Sequence, residues 1–147
     1  MSSDHQATVR EIIAENQYLT LATADGEQPW VAPVQFCCDD DLDFYFISLP
    51  TSRHAQHIAQ HPEVALAIFD SQQPMFTGRG VQIEGVASTY SEDENPFATI
   101  GGFDMPTDLQ EVVPGYVAYK VQARRFYVPR AYLEEVLRDE RVEVEMP

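Results

Sequence analysis

Residues 47–69, ISLPTSRHAQHIAQHPEVALAIF, change periodicity twice in one short stretch. The apolar, β-forming residues up to Leu49 read as the end of a strand. After Pro50, Ala55, Ile58 and Ala59 fall at i, i+3 and i+4, the stripe of a helix that begins at Thr51 or Ser52. Pro62 ends this helix after His61, because the residue before a proline is pushed out of helical geometry. VALAIFD (64–70) then reads as the next strand. The helix start is crowded with groups that can donate to an anion: Ser48, Thr51, Ser52 and Arg53 lie within six positions. First-turn N–H groups have no partner inside the helix, and the helix dipole favours negative charge there by ~0.3–1 kcal/mol. Arg53 can make charge-assisted, bidentate contacts with phosphate. An ordinary Ser/Thr cap beside a solvated arginine gives the same pattern, so the segment alone leaves both readings open.

Upstream, Val9, Ile12 and Ile13 predict a short amphipathic helix over residues 8–16. YLTLATA (18–24) reads as a strand, and Asp25-Gly26 as a hairpin turn. Residues 30–38 form the returning strand, with Trp30, Ala32, Val34 and Phe36 on one face. The acidic turn at Asp39–Asp41 leads into LDFYFISL (42–49). Downstream, a loop with Gly78 and Gly80 precedes VQIEGVASTY (81–90), where Val81, Ile83 and Ala87 alternate with Gln82, Glu84 and Ser88. Ser91 and Glu94 stand at capping-box spacing and predict a short helix. Residues 101–115 read as a loop, 116–128 as a long sixth strand, and Leu133, Val136 and Leu137 as a last helical turn or two. RVEVE (141–145) alternates like a short strand.

Six main antiparallel strands with short peripheral helices predict a mainly β (α+β) fold, in which a nearly closed barrel removes exposed strand edges. The 147 residues have the length of a single domain, 1–147. Nine basic residues face 24 acidic ones, a net charge of −15 that repels phosphate backbones and anionic lipid, so neither nucleic acid nor membrane is expected as partner. With Lys120 the single lysine, such a surface also suits a salt-rich cytoplasm. No stretch approaches the roughly 20 apolar residues of a membrane span, and the polar start MSSDHQATVREII predicts no export. A cytoplasmic location follows, and the adjacent Cys37 and Cys38 suggest no disulfide framework.

His54, His57 and His61 fall on one helical stripe. His57 and His61 could share a metal, but His54 and His61 are about 10 Å apart along the axis. No cysteine or carboxylate on that helix completes a ligand set, so a solvated polar face and no metal site are expected. The run Asp39–Asp43 lacks the spacing of a calcium loop and reads as a hairpin tip.

The order of elements, with LATADGEQPWVAPVQF (21–36), TSRHAQHIAQHPEVALAIF (51–69) and GVQIEGVAS (80–88), resembles the pyridoxamine-phosphate-oxidase-like FMN-binding split barrels. Ser52, Arg53, His54, Ile58 and Pro62 occupy that family's serine, basic pair, apolar position and proline, and the likeness spans about residues 17–128. TSRHAQ and RGVQIEG look most like a small subgroup of unknown function. The resemblance implies FMN as cofactor, with Ser48, Ser52, Arg53 and His54 at its phosphate and Thr51 beside them. His54 stands where the family usually has lysine. The resemblance further implies that Pro33, Val34 and Gln35 offer backbone groups to the flavin ring. A homodimer is implied, with Arg79, Gln82 and Tyr127 of a second subunit as candidates to close the site, and the aromatic strand 116–128 as its interface.

A flavin-dependent oxidoreductase acting on an unidentified small molecule is the first expectation, with no side chain standing out as acid or base. A non-enzymatic flavin binder or redox sensor is the alternative, as is a deazaflavin- or haem-binding relative. True pyridoxamine phosphate oxidation is not expected. The tryptophan- and arginine-rich segment that binds that substrate is not seen, Trp30 being the one tryptophan.

Overall fold

A computed structural model describes residues 2–129 and 141–147 of the chain. In order, these form helix α1 (Ser2–Glu15), strands β1 (Tyr18–Ala24), β2 (Pro29–Gln35), β3 (Cys37–Cys38) and β4 (Phe44–Ser48), and helix α2 (Arg53–Gln60). Strands β5 (Glu63–Phe69) and β6 (Gly80–Ser91), the short helices α3 (Pro96–Thr99) and α4 (Leu109–Val112), and strands β7 (Val117–Pro129) and β8 (Arg141–Val144) follow. One eight-stranded sheet runs β2-β1-β5-β6-β7-β4-β3, with β8 beside β7, and every pairing is antiparallel.

The two ends of this order, β2 and β3, are joined by the single residue Phe36, so the sheet curls round on itself. This explains the strand count. Residues 30–38, expected as one strand, are two, because the chain leaves β1 and takes up β4 as partner. The eighth strand is the alternating RVEVE segment. The fold is the mainly antiparallel split barrel with short helices. The helix expected around Leu133–Leu137 lies outside the described residues.

Alternation turns one side of each strand inward. Leu19, Leu21, Phe44, Phe46, Ile68, Val81, Ile83, Val121 and Val128 are buried, and Val9, Ile12 and Ile13 of α1 pack into the same core. Phe46 stacks on Tyr119 at 5.2 Å. In β7 the aromatics Tyr119 and Phe126 are thus part of this chain's own core. Helix α1 begins earlier than the apolar stripe alone indicates, and the Gln6 amide ties this first part to the Glu145 carbonyl at 2.7 Å.

Between β6 and β7 the chain makes an excursion over residues 92–116. Ser91 and Glu94 do not form the expected capping box. The Ser91 hydroxyl instead accepts from the N–H groups of Asp93 and Glu94 in a turn, and Asn95 caps α3. Pro96, lacking an N–H, takes the first helical position, where none is needed. The expected loop over 101–115 also contains α4, capped by Asp108.

The β6–β7 ladder carries a bulge between Glu84 and Gly85. A β-carbon on Gly85 would sit 2.7 Å from Val121 Cγ1 and 2.9 Å from the Gln122 carbonyl oxygen. Overpacking of this kind costs typically ~1–3 kcal/mol. Gly85→Ala is therefore expected to lower the urea midpoint with the slope unchanged, whereas an unmoved midpoint would show that the bulge relaxes freely.

Candidate functional site

Strand β4 ends at Ser48, and α2 starts five residues later. Ser52 caps α2 in extended geometry, its hydroxyl accepting from the Ala55 N–H at 3.3 Å. The first-turn N–H groups of Arg53 and His54 are left free of intrahelical partners. Ser48 is buried, and its hydroxyl lies 3.0 Å from Ser52 Oγ and 2.7 Å from His54 Nε2. The three side chains form one connected set at the helix N-terminus.

Ser48 and His54 of this set line a cavity of about 500 Å³. Pro33, Val34 and Gln35 of β2 line one side of it, with Ile47 of β4 nearby. The excursion over 92–116 supplies an apolar wall of Phe97, Phe103, Met105, Val112 and Tyr116. Among the described residues, His54 is the one basic side chain in the lining, and none of them is acidic. Volume and lining suit a flat, largely apolar body with an anionic end at α2. The donor set at Ser48, Ser52, His54 and the free N–H groups matches a phosphate in chemistry.

Burial lowers the pKa of His54 below the ordinary histidine value, and the neighbouring His57 lowers it further. The lowered pKa favours the neutral ring, whose Nε2 lies 2.7 Å from the Ser48 hydroxyl.

Thr51 and Arg53 point to the other side of the helix start and line a separate cavity. The Arg53 guanidinium stacks over the Trp30 ring at 4.2 Å. The histidine stripe is only in part the solvated face expected, His61 being exposed. His57 is buried, with Nδ1 2.9 Å from the buried Thr23 hydroxyl, because α2 lays this side against β1. Among the described residues no group of three metal-ligating side chains converges.

The remaining candidates do not meet Ser48 within one chain. Arg79 pairs with Glu15 and Glu11 of α1 at 2.6 and 3.3 Å. Gln82 and Tyr127, cross-strand neighbours, line a third cavity of about 480 Å³ on the outer sheet face, with Thr20, Ala22, Ala65 and Ala67. Sequence reasoning missed the apolar wall of the 92–116 excursion, since its residues follow no periodic pattern. It also missed the Trp30–Arg53 stack, a pairing between residues 23 positions apart.

Cys37 and Cys38 are free, and burial, aided by the charge of Asp39, pushes both thiols up to about 12, far from a reactive thiolate. The Asp39 carboxylate organises the hairpin tip, accepting from the N–H groups of Asp41 and Asp43 and from the Tyr45 hydroxyl.

The family model described as pyridoxamine 5'-phosphate oxidase matches residues 6–128. The chain belongs to this family. No curated protein matches it in sequence. Among solved structures, a putative pyridoxamine 5'-phosphate oxidase from Listeria innocua is 20% identical with a TM-score of 0.65, covering 84% of this chain and 97% of that one. The haem storage protein HutZ from Vibrio cholerae is 17% identical with a TM-score of 0.64, covering 84% and 93%. A FAD-binding protein from Mesorhizobium loti is 16% identical with a TM-score of 0.60, covering 82% and 90%. At such identities the likeness is one of fold. No helix among the described residues is long and apolar enough to cross a membrane.

The lowered His54 pKa carries a linkage sign. The folded chain binds fewer protons than the unfolded one between the lowered value and the ordinary ~6.5, so this group adds stability above that window and loses it as pH falls through it. NMR titration of the ligand-free protein is expected to give a His54 midpoint below that of an exposed histidine. A midpoint at or above ~6.5 would contradict the burial argument.

Proposed function

We propose that the chain binds a flavin through its FMN portion, and that the ring lies along Pro33–Gln35 against the apolar wall. The observation that carries this is the buried Ser48 hydroxyl, shared with Ser52 and His54 at the α2 N-terminus, on a cavity with no acidic lining among the described residues. The phosphate would meet Ser48, Ser52, His54 and the first-turn N–H groups, with Arg53 reaching it from the other flank. Val34, Ile47, Phe97, Phe103 and Met105 would keep water from the ring, and the backbone of Pro33–Gln35 would set its orientation. When bound, a flavin supplies hydride or electron transfer, and the side chains here bind and orient rather than exchange protons.

On this reading the protein is a flavin-dependent oxidoreductase of a small molecule, working as a homodimer. The outer face of β1, β5 and β6, continued by Tyr127 of β7, offers the apolar surface for a second copy. Exposed Val31 and Phe69 flank the small residues Thr20, Ala22, Ala65 and Ala67 there. Haem fits the cavity less well, since its one histidine, His54, already has Nε2 engaged by Ser48.

The absorption spectrum of the purified protein is expected to show oxidised flavin, and a haem Soret band or a deazaflavin spectrum would replace the reading. FMN is expected to bind much more tightly than riboflavin in calorimetry, and equal affinities would remove the phosphate role of α2. Native affinity for FMN should fall as pH rises through the lowered His54 pKa, below ~6.5, whereas His54→Lys should hold affinity level there. A flat native profile would mean that the neutral ring alone serves as the phosphate's neighbour.

A further inference from the structure

The start of α2 has two sides. Ser48 and His54 line the cavity given to the flavin, whereas Thr51 and Arg53 line a second one of about 470 Å³ with Asp25, Gln56, His57 and Gln60. Its chemistry is the opposite of the first, because every lining side chain is polar. His57 is built into this wall. It is 7% exposed, and its Nδ1 is taken by the buried Thr23 hydroxyl. Nε2, with no hydrogen-bond partner among the described residues, is the atom the ring can offer to the cavity it lines. Asp25 receives the N–H groups of Glu27 and Gln28 on Oδ1, at 2.9 and 2.8 Å, which leaves Oδ2 open. Arg53 is held on this side by Trp30, whose indole remains 39% exposed.

A bare polyanion suits this set poorly, since Asp25 adds a carboxylate in a chain already at −15. A hydroxyl-rich group joined to a phosphate suits it well. Sugar hydroxyls donate to a carboxylate and accept from amides, and a guanidinium takes phosphate oxygens.

We propose that this second cavity takes a ribose-bearing nucleotide continuing from the flavin phosphate, so that a flavin dinucleotide spans the α2 N-terminus. The inference rests on the flavin reading above and extends it. Arg53 and the first-turn N–H groups meet the two phosphates. Asp25 accepts from the ribose hydroxyls, while His57, Gln56 and Gln60 bond the remaining polar edges.

Paired titrations of the full chain with FAD and FMN test this. FAD is expected to bind about tenfold or more tightly than FMN, the gain of one added charged hydrogen bond. Asp25→Asn keeps an oxygen for the turn N–H groups, so it should erase most of that difference while leaving FMN affinity at the parent value. Gln60→Ala, at the exposed end of α2, reads the same difference if Asp25→Asn does not fold. FAD binding no tighter than FMN, with FMN binding intact, overturns the dinucleotide alone. An equal loss for both flavins in Asp25→Asn also overturns it, by showing a structural role. Failure of both flavins to bind the parent protein overturns the flavin reading and this inference with it.

Discussion

At Phe36 the backbone changes partner. Its N–H still donates to the Gln17 carbonyl at 3.0 Å, beside β1, and the next two residues already pair with β4. The Phe36 side chain is buried and meets Phe44 at 5.7 Å, which anchors the corner in the core. Because β2 and β3 are the two ends of the sheet order, this one corner closes the curl. It also sets Pro33–Gln35 and the end of β4 on the walls of one cavity. The cavity, the helix start beside it and the core beneath it all follow from that closure.

The electrostatics of the site run against the bulk of the molecule. At a net charge of −15, a diffusing anion meets repulsion nearly everywhere. The α2 N-terminus reverses this locally through oriented N–H groups, which carry no side-chain charge and need no counter-ion. Burial keeps His54 toward its neutral form in the ligand-free protein, so positive charge is not held in a half-buried wall without a partner. Arg53, exposed and resting on Trp30, keeps its charge in solvent contact.

The apolar wall owes its position to polar bonds. Asn95, fully buried, donates to the Pro106 carbonyl, accepts from the Phe97 N–H and donates its own N–H to the Thr107 carbonyl. Gln110 bonds the carbonyls of Glu92 and Tyr116 and the Gly115 N–H. Two amide side chains thus fold an irregular excursion of the chain onto the mouth of the barrel. They satisfy backbone groups that no strand or helix would otherwise pair.

Much of this was legible in the residues. Strict alternation in YLTLATA, VALAIFD and VQIEGV set which side chains go inward, and Pro62 set the end of α2, because those effects act between near neighbours. The donors at Ser48, Ser52 and His54 were also visible, since one turn of chain brings them together. Whether Phe36 continues a strand or turns a corner depended on two partners, one at Gln17 and one at β4. The burial of His57 needed Thr23 on another element, and the stack of Arg53 needed Trp30. Local spacing determined most of the strands, helix α2 and its phosphate-like start. The walls of both cavities, and the side of α2 on which each polar group works, were decided only by tertiary structure, because they are contacts between segments whose separation along the chain carries no periodic signal.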